Sequence, residues 1–147
     1  MAELLIGVVK DPAPGFVITI GAGGIYTELL KDRASLLFPA SREQLEQSLT
    51  QLKAALFLQG YRNRPPAAMP HILDAIEAIQ TDVLANLTTV EEVEVNPLIA
   101  TPTPVVAVDA LIGKRRTDTD SIKTRHRRRD PYLLRRRDGK AVKPAAF

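Results

Sequence analysis

The residues of this chain best equipped for chemistry are Glu94, Asn96 and Asp109. Glu94 and Asn96 lie two apart in the run VEVNPL, and in a strand side chains at that spacing share one face. A carboxylate beside an amide oxygen is the hard, oxygen-only ligand set that Mg²⁺ prefers, with phosphate oxygens and water filling its octahedron. Asp109 sits in VVAVDALI, a run able to pair with the first through the turn at 101–104, and offers a further carboxylate. The other reading of these side chains is an edge strand with solvated acids, the ordinary explanation for Glu91 and Glu92.

A second candidate is Gly21-Ala22-Gly23-Gly24. Glycines permit positive φ and let backbone N–H groups approach a phosphate closely. A glycine turn between strands is the commoner use of such a cluster. It opens no helix, so neither a P-loop nor a dinucleotide fingerprint fits.

The elements that must position these residues follow from periodicity. Residues 3–9 (ELLIGVV) and 16–20 (FVITI) read as strands joined through Lys10-Asp11-Pro12 and Pro14-Gly15, hence a hairpin. The apolar pattern resumes at 25–30, and 35–38 is a further short strand. Ser41 with Gln44 forms a capping box, and Leu45, Leu49, Leu52 and Leu56 then recur at helical spacing until Gly60. A second helix starts near Pro70, with Ile72, Ile76, Ile79, Val83 and Leu87 as its apolar stripe. Strands at 90–98 and 105–112 close the domain. Strands, two helices and strands make a mixed α/β or α+β layer fold with a mostly antiparallel sheet.

The 147 residues suit one modest domain. No cysteine is present, which removes disulfides, thiolate zinc sites and thiol nucleophiles. No apolar run approaches the ~20 residues of a membrane span, and the N-terminus has no signal-peptide pattern, so a cytoplasmic protein is expected. The net charge of +3 averages two unlike pieces. Residues 1–113 carry 7 Lys+Arg and 13 Asp+Glu, whereas 114–147 carry 13 Lys+Arg and 4 Asp. A boundary near Gly113 therefore separates an acidic domain, 1–113, from an arginine-rich tail, 114–147, expected to be disordered. The tail arginines 127–129 and 135–137 flank Tyr132 and read as a polyanion patch, a solvated extension, or translation beyond a shifted reading frame.

The succession ELLIGVVKDP, GAGGIYTELLKD, LQGYRNRPP, VEVNPLI and VVAVDALI resembles the ATP-grasp region of ADP-forming acyl-CoA synthetases, and more distantly the succinyl-CoA synthetase β subunit. The resemblance covers about residues 2–113 and implies the C-terminal lobe of an ATP-grasp fold. It implies ATP and Mg²⁺ as nucleotide and cofactor, and acyl-CoA formation from acid and CoA with release of ADP and phosphate. Asn96 and Asp109 match the family's magnesium positions. Glu94 matches an acidic residue placed near the metal or the phosphohistidine. Gly23 and Gly24 match a glycine pair bordering the nucleotide, and Glu3 an acid opening the strand after the adenine-binding hinge. The matched part begins after that hinge. The expected partners are therefore the N-terminal ATP-grasp lobe and the CoA-binding and phosphohistidine domains.

Neither His71 nor His126 occurs in a family motif. Leu36 stands where the family leads one to expect arginine, and Arg33 where it leads one to expect an apolar residue. Arg62 and Arg64 match a family motif and read first as structural, second as phosphate contacts. Two rival functions remain: the ATP-grasp domain of a lysine acetyltransferase or other regulatory module, and a small nucleic-acid binder acting through its tail.

Removing 114–147 is expected to leave the melting temperature nearly unchanged. The full chain should bind RNA or DNA weakly, without sequence preference and with strong salt dependence. Melting curves of both forms, with polyanion titrations at two salt concentrations, test this. A large loss of melting temperature counts against a tail that stands apart from the domain.

Overall fold

The structure, a computed structural model, describes residues 1–13, 15–25, 27, 31–60 and 65–115, and the backbone of 134–135 and 141–142. The chain divides into two units, Met1–Arg115 and Arg116–Phe147.

In the first unit, the period-2 pattern at the N-terminus becomes β1 (Ala2–Asp11), and the run after Pro14 becomes β2 (Gly15–Ala22). They pair antiparallel from Leu4↔Ala22 to Asp11↔Gly15, with Gly15 at a positive φ of 98° where the hairpin turns back. β3 (Arg33–Leu37) adds to the outer side of β2. β4 (Val90–Ala100) pairs with the other side of β1, and β5 (Val105–Ala107) and β6 (Ala110–Lys114) both pair with β4. The result is a six-stranded antiparallel sheet in the order β3-β2-β1-β4-β5, with β6 also on β4.

Alternate side chains of these strands form one core with the helices. Leu4, Ile6, Val8, Ile18, Ile20, Val93, Val95 and Leu98 pack with Leu45, Leu49, Ile72, Ile76 and Val83. The helices are α1 (Arg42–Gln51), α2 (Ala55–Leu58) and α3 (Met69–Ala85), all on that one face. Among the described helices of this unit, none lies on the opposite sheet face. The architecture is α+β, as the pattern of elements predicts.

The capping box is formed in full: Gln44 N–H donates to Ser41 Oγ and Ser41 N–H to Gln44 Oε1. The helix it starts is shorter than its leucine spacing predicts. It stops at Gln51, where Leu52 turns extended (φ −66°, ψ 145°), and a new turn begins at Ala55. The cause is Asp32, whose two carboxylate oxygens accept the N–H groups of Lys53 (3.0 Å) and Ala54 (2.8 Å). Two donors claimed by a side chain from outside the helix suit a fresh helical start. Leu56 consequently falls off the stripe and is 63% exposed, and Leu58 is buried in its place. On α3, Ile72, Ile76 and Val83 are buried as expected and Ile79 packs at the core margin. Leu87 lies beyond the helix end and is exposed.

Gln80 is the polar exception on α3. Its Oε1 accepts the Ala40 N–H at 2.7 Å and its Nε2 donates to the Ala40 carbonyl at 3.1 Å, so one buried amide satisfies both backbone groups ahead of α1. Arg42 ties the same helices from the solvent side, through Asp74 and Glu77. That exposed cluster contributes less than the buried amide.

Lys114 pairs with Val90, and the Arg115 N–H donates to the Thr89 carbonyl, so the folded unit runs two residues past the expected boundary. In the second unit, Leu134–Arg135 and Ala141–Val142 form an antiparallel pair, β7 and β8. The arginine runs and Tyr132 otherwise lie outside the described residues, as do Arg62 and Arg64. No helix among the described residues is long and apolar enough to cross a membrane.

Gln80→Leu keeps the volume but strands both Ala40 groups. We expect a loss of about 2–4 kcal/mol, since each buried unsatisfied group costs about 1–3 kcal/mol. Denaturant unfolding of the variant beside the parent measures it, and a change below about 0.5 kcal/mol contradicts the assignment.

Candidate functional site

β4 is the strand on which the site is built, and its backbone is irregular at two points. Against β1, Leu4 pairs with Leu98 and Ile6 with Val95, so the single residue Leu5 faces both Asn96 and Pro97. Proline has no N–H to give to a ladder and in sheet interiors sits at bulges. Pro97 is thus the local cause of the irregularity. A second extra residue, Glu91, separates the Val90↔Lys114 and Glu92↔Gly113 pairs.

Between these two irregularities, Val93 and Val95 point into the core, and Glu94 and Asn96 are half-buried on the opposite face. The shared face expected for Glu94 and Asn96 is therefore present. The expected strand at 105–112 is interrupted. One register runs through β5 and β6, from Leu98↔Ala107 to Val95↔Ala110, and it leaves Asp109 opposite Asn96 between the two strands. The Asn96 N–H donates to the Asp109 carbonyl (3.1 Å) and the Val108 N–H to the Pro97 carbonyl (3.0 Å). Pro97 returns no bond, and the ladder breaks there. Directly opposite residues of an antiparallel pair have Cβ atoms about 4.5–5.5 Å apart, which brings Asp109 beside Asn96.

The glycine cluster converges on the same place. The Gly24 N–H donates to Asn96 Oδ1 at 2.8 Å, and the Gly23 N–H donates to the Glu3 carbonyl at 2.8 Å. Gly24 has φ +61°, and its carbonyl accepts the Thr27 hydroxyl at 2.8 Å. A Cβ on Gly23 would overlap the Leu4 carbonyl, and one on Gly24 would overlap the Glu3 carboxylate. The glycines thus serve close approach, and their N–H groups, expected to face a phosphate, have protein acceptors in this structure. Glu3, Gly23, Gly24 and Asn96 form one linked group. Asp109 joins it through the backbone, and Glu94 stands one face position along β4.

Two contributors gave no sequence signal. Asp32 closes the base of the glycine loop by accepting the Ala22 N–H at its carbonyl (2.9 Å) while its carboxylate starts α2. Thr27 pins Gly24 from the far side of the turn. The bulge that aims Asn96 had a signal in Pro97, inside an otherwise strand-like run. Of the exchanged pair, Leu36 packs against the core and Arg33 is exposed on β3. His71 is on the helix layer near Asp74 (3.9 Å), on the other side of the sheet from Asn96.

Among the described residues no three His, Cys, Asp or Glu side chains cluster as metal ligands by themselves. The donors near Asn96 are an amide oxygen and flanking carboxylates, all hard oxygens. That chemistry fits Mg²⁺ completed by phosphate and water.

An antiparallel sheet with helices packed against one face is an α+β fold. The chain matches the ATP-grasp domain over residues 1–113, and it belongs to that family. It is 30% identical over 108 residues to the β subunit of ADP-forming acetate–CoA ligase I from Pyrococcus furiosus, covering 74% of this chain and 46% of that one. It is similar to PH1788 from Pyrococcus horikoshii Ot3, with a TM-score of 0.72 and 29% identity over 79% of this chain and 49% of that one. It is likewise similar to the dinucleotide forming acetyl-coenzyme A synthetase 1 of Ca. Korarchaeum cryptofilum, solved with coenzyme A and Mg-AMPPCP. That likeness has a TM-score of 0.71 and 32% identity over 78% of this chain and 53% of that one. The chain thus spans about half the length of these relatives.

Gly24→Ala should destabilise the unit. The left-handed conformation alone costs an L-residue about 1–2 kcal/mol, and the new methyl meets the Glu3 carboxylate. Gly24→Ala combined with Glu3→Ala should recover the steric part but not the conformational part. A double-mutant cycle of unfolding free energies separates them, and strict additivity argues against the close approach.

Proposed function

We propose that this chain forms the metal- and phosphate-facing part of the Mg-nucleotide site of an ADP-forming acid–CoA ligase, making acyl-CoA with release of ADP and phosphate. The observation that carries the reading is the convergence of Glu94, Asn96, Asp109 and the glycine loop around the bulge of β4. The named activities of the relatives supply the reaction. Asn96 and Asp109 hold Mg²⁺, with Glu94 adjacent to the phosphoryl group in transit. Gly23 and Gly24 shape the border of the nucleotide pocket, and Glu3 fixes the start of β1 beneath them. When bound, the metal offsets phosphate charge that would repel the incoming nucleophile. The chain's own residues orient the metal and present one wall of the pocket.

The remaining groups come from the parts that the longer relatives contain: an opposing ATP-grasp lobe, a CoA-binding domain and a phosphate-accepting histidine. Such substrates place the reaction in the cytoplasm. The chain by itself should give no acyl-CoA and no acid-dependent ADP, because positioning supplies most of the catalysis in phosphoryl transfer.

Asn96→Ala and Asp109→Ala should each weaken Mn²⁺-nucleotide binding at least roughly tenfold, the least that loss of a supporting metal contact costs. Glu94→Ala should leave binding closer to that of the parent and act on phosphoryl transfer once the partner domains are supplied. Electron paramagnetic resonance of free and bound Mn²⁺ measures the first effect. Unchanged binding in both the Asn96 and Asp109 variants overturns the metal assignment.

A further inference from the structure

Asn96 Oδ1 has two claimants. In the structure it accepts the Gly24 N–H at 2.8 Å, and in the function proposed above the same oxygen is a magnesium ligand. An amide oxygen has two lone pairs, so both contacts can coexist. A cation on one of them withdraws electron density from the oxygen and weakens it as an acceptor for the other. The Gly24 N–H has no second acceptor among its described hydrogen bonds. The Gly23 N–H, by contrast, is held by the Glu3 carbonyl in an arrangement without Asn96.

We infer that Asn96 is a positioning residue as well as a ligand: it holds the Gly24 N–H while the metal site is empty and releases it toward a phosphate oxygen when Mg²⁺ arrives. This rests on the metal reading above and adds a coupling between two parts of the pocket. The glycine loop is held by a side chain whose grip loosens as the metal enters. The donor that stabilises phosphate negative charge is thereby freed in the same event that brings the cation. The Thr27 hydroxyl, which donates to the Gly24 carbonyl, keeps the turn formed as the N–H is let go.

Asn96→Asp separates the two duties, because a carboxylate has two oxygens and keeps Gly24 on one while the metal takes the other. Asn96→Ala abolishes both.

The experiment is amide hydrogen exchange by NMR on the full 147-residue chain, with and without saturating Mg²⁺, in parent, Asn96→Asp and Asn96→Ala. The Ile6 and Val8 amides of β1 control for folding. In the parent without metal the Gly24 amide should be protected, and Mg²⁺ should speed its exchange roughly tenfold, the weight of one hydrogen bond. In Asn96→Asp, protection should persist with and without metal. In Asn96→Ala, it should be lost without metal while β1 stays protected. Mn²⁺ broadening of the Asn96 side-chain amide reports metal binding separately. Broadening with unchanged Gly24 exchange overturns the coupling and leaves the metal reading standing. Absent broadening takes both down. An unprotected Gly24 in the metal-free parent overturns the coupling on its own, and if Asn96→Ala does not fold, the Asn96→Asp comparison decides.

Discussion

The pairing of β1 with both β2 and β4 is the constraint on which the rest of the unit depends. β1 sends Leu4, Ile6 and Val8, all fully buried, into the core beneath the helices. At its start it receives the glycine loop through the Glu3 carbonyl. On its other edge it meets β4 out of simple register, so that Asn96 is turned toward the loop. Core, loop and the face that carries Asn96 are therefore consequences of how one strand is flanked. A strand with two partners and an apolar side has no freedom to slide without exposing Leu4 and Ile6.

The helix layer contributes by holding that arrangement rather than by entering the site. Gln80 and the capping box fix where α1 begins. Asp32 links that layer back to the base of the glycine loop, with its carboxylate on the helices and its carbonyl on Ala22. The same residue therefore sets the end of β2 and the break between α1 and α2. The N–H groups of Ala22, Gly23 and Gly24 each have a protein acceptor, so these three donors escape the desolvation penalty of an unmet polar group.

Much of this was legible in the sequence, and the illegible parts share a cause. The hairpin, the capping box, the shared face of Glu94 and Asn96 and the α3 stripe each follow from local periodicity or a local side chain–backbone contact. The break at Leu52 did not, because the side chain that imposes it lies on the far side of α1 in sequence. The hydrogen bond from Gly24 to Asn96 did not either, since it joins residues on opposite sides of α1, α2 and α3 in sequence. Long-range polar contacts have no period to detect. Pro97 was the exception, a local signal for a bulge that the strand reading passed over, and Leu87 shows the reverse, a periodic residue lying beyond the helix that ought to carry it.

The two extra residues of β4 have an arithmetic consequence. Buried positions fall at Val90, then Val93 and Val95, then Leu98 and Ala100, so the inside–outside alternation is reset twice along one strand. Between the resets, Glu94 and Asn96 occupy a short window whose phase is set by counting, not by their own chemistry. Loss of the extra residue at either bulge would restore plain alternation and keep Glu94 on its face, whereas loss of a residue between them, such as Val93, would carry Glu94 into a core position. Between the bulges a change of length therefore displaces every side chain at once, where a substitution displaces one.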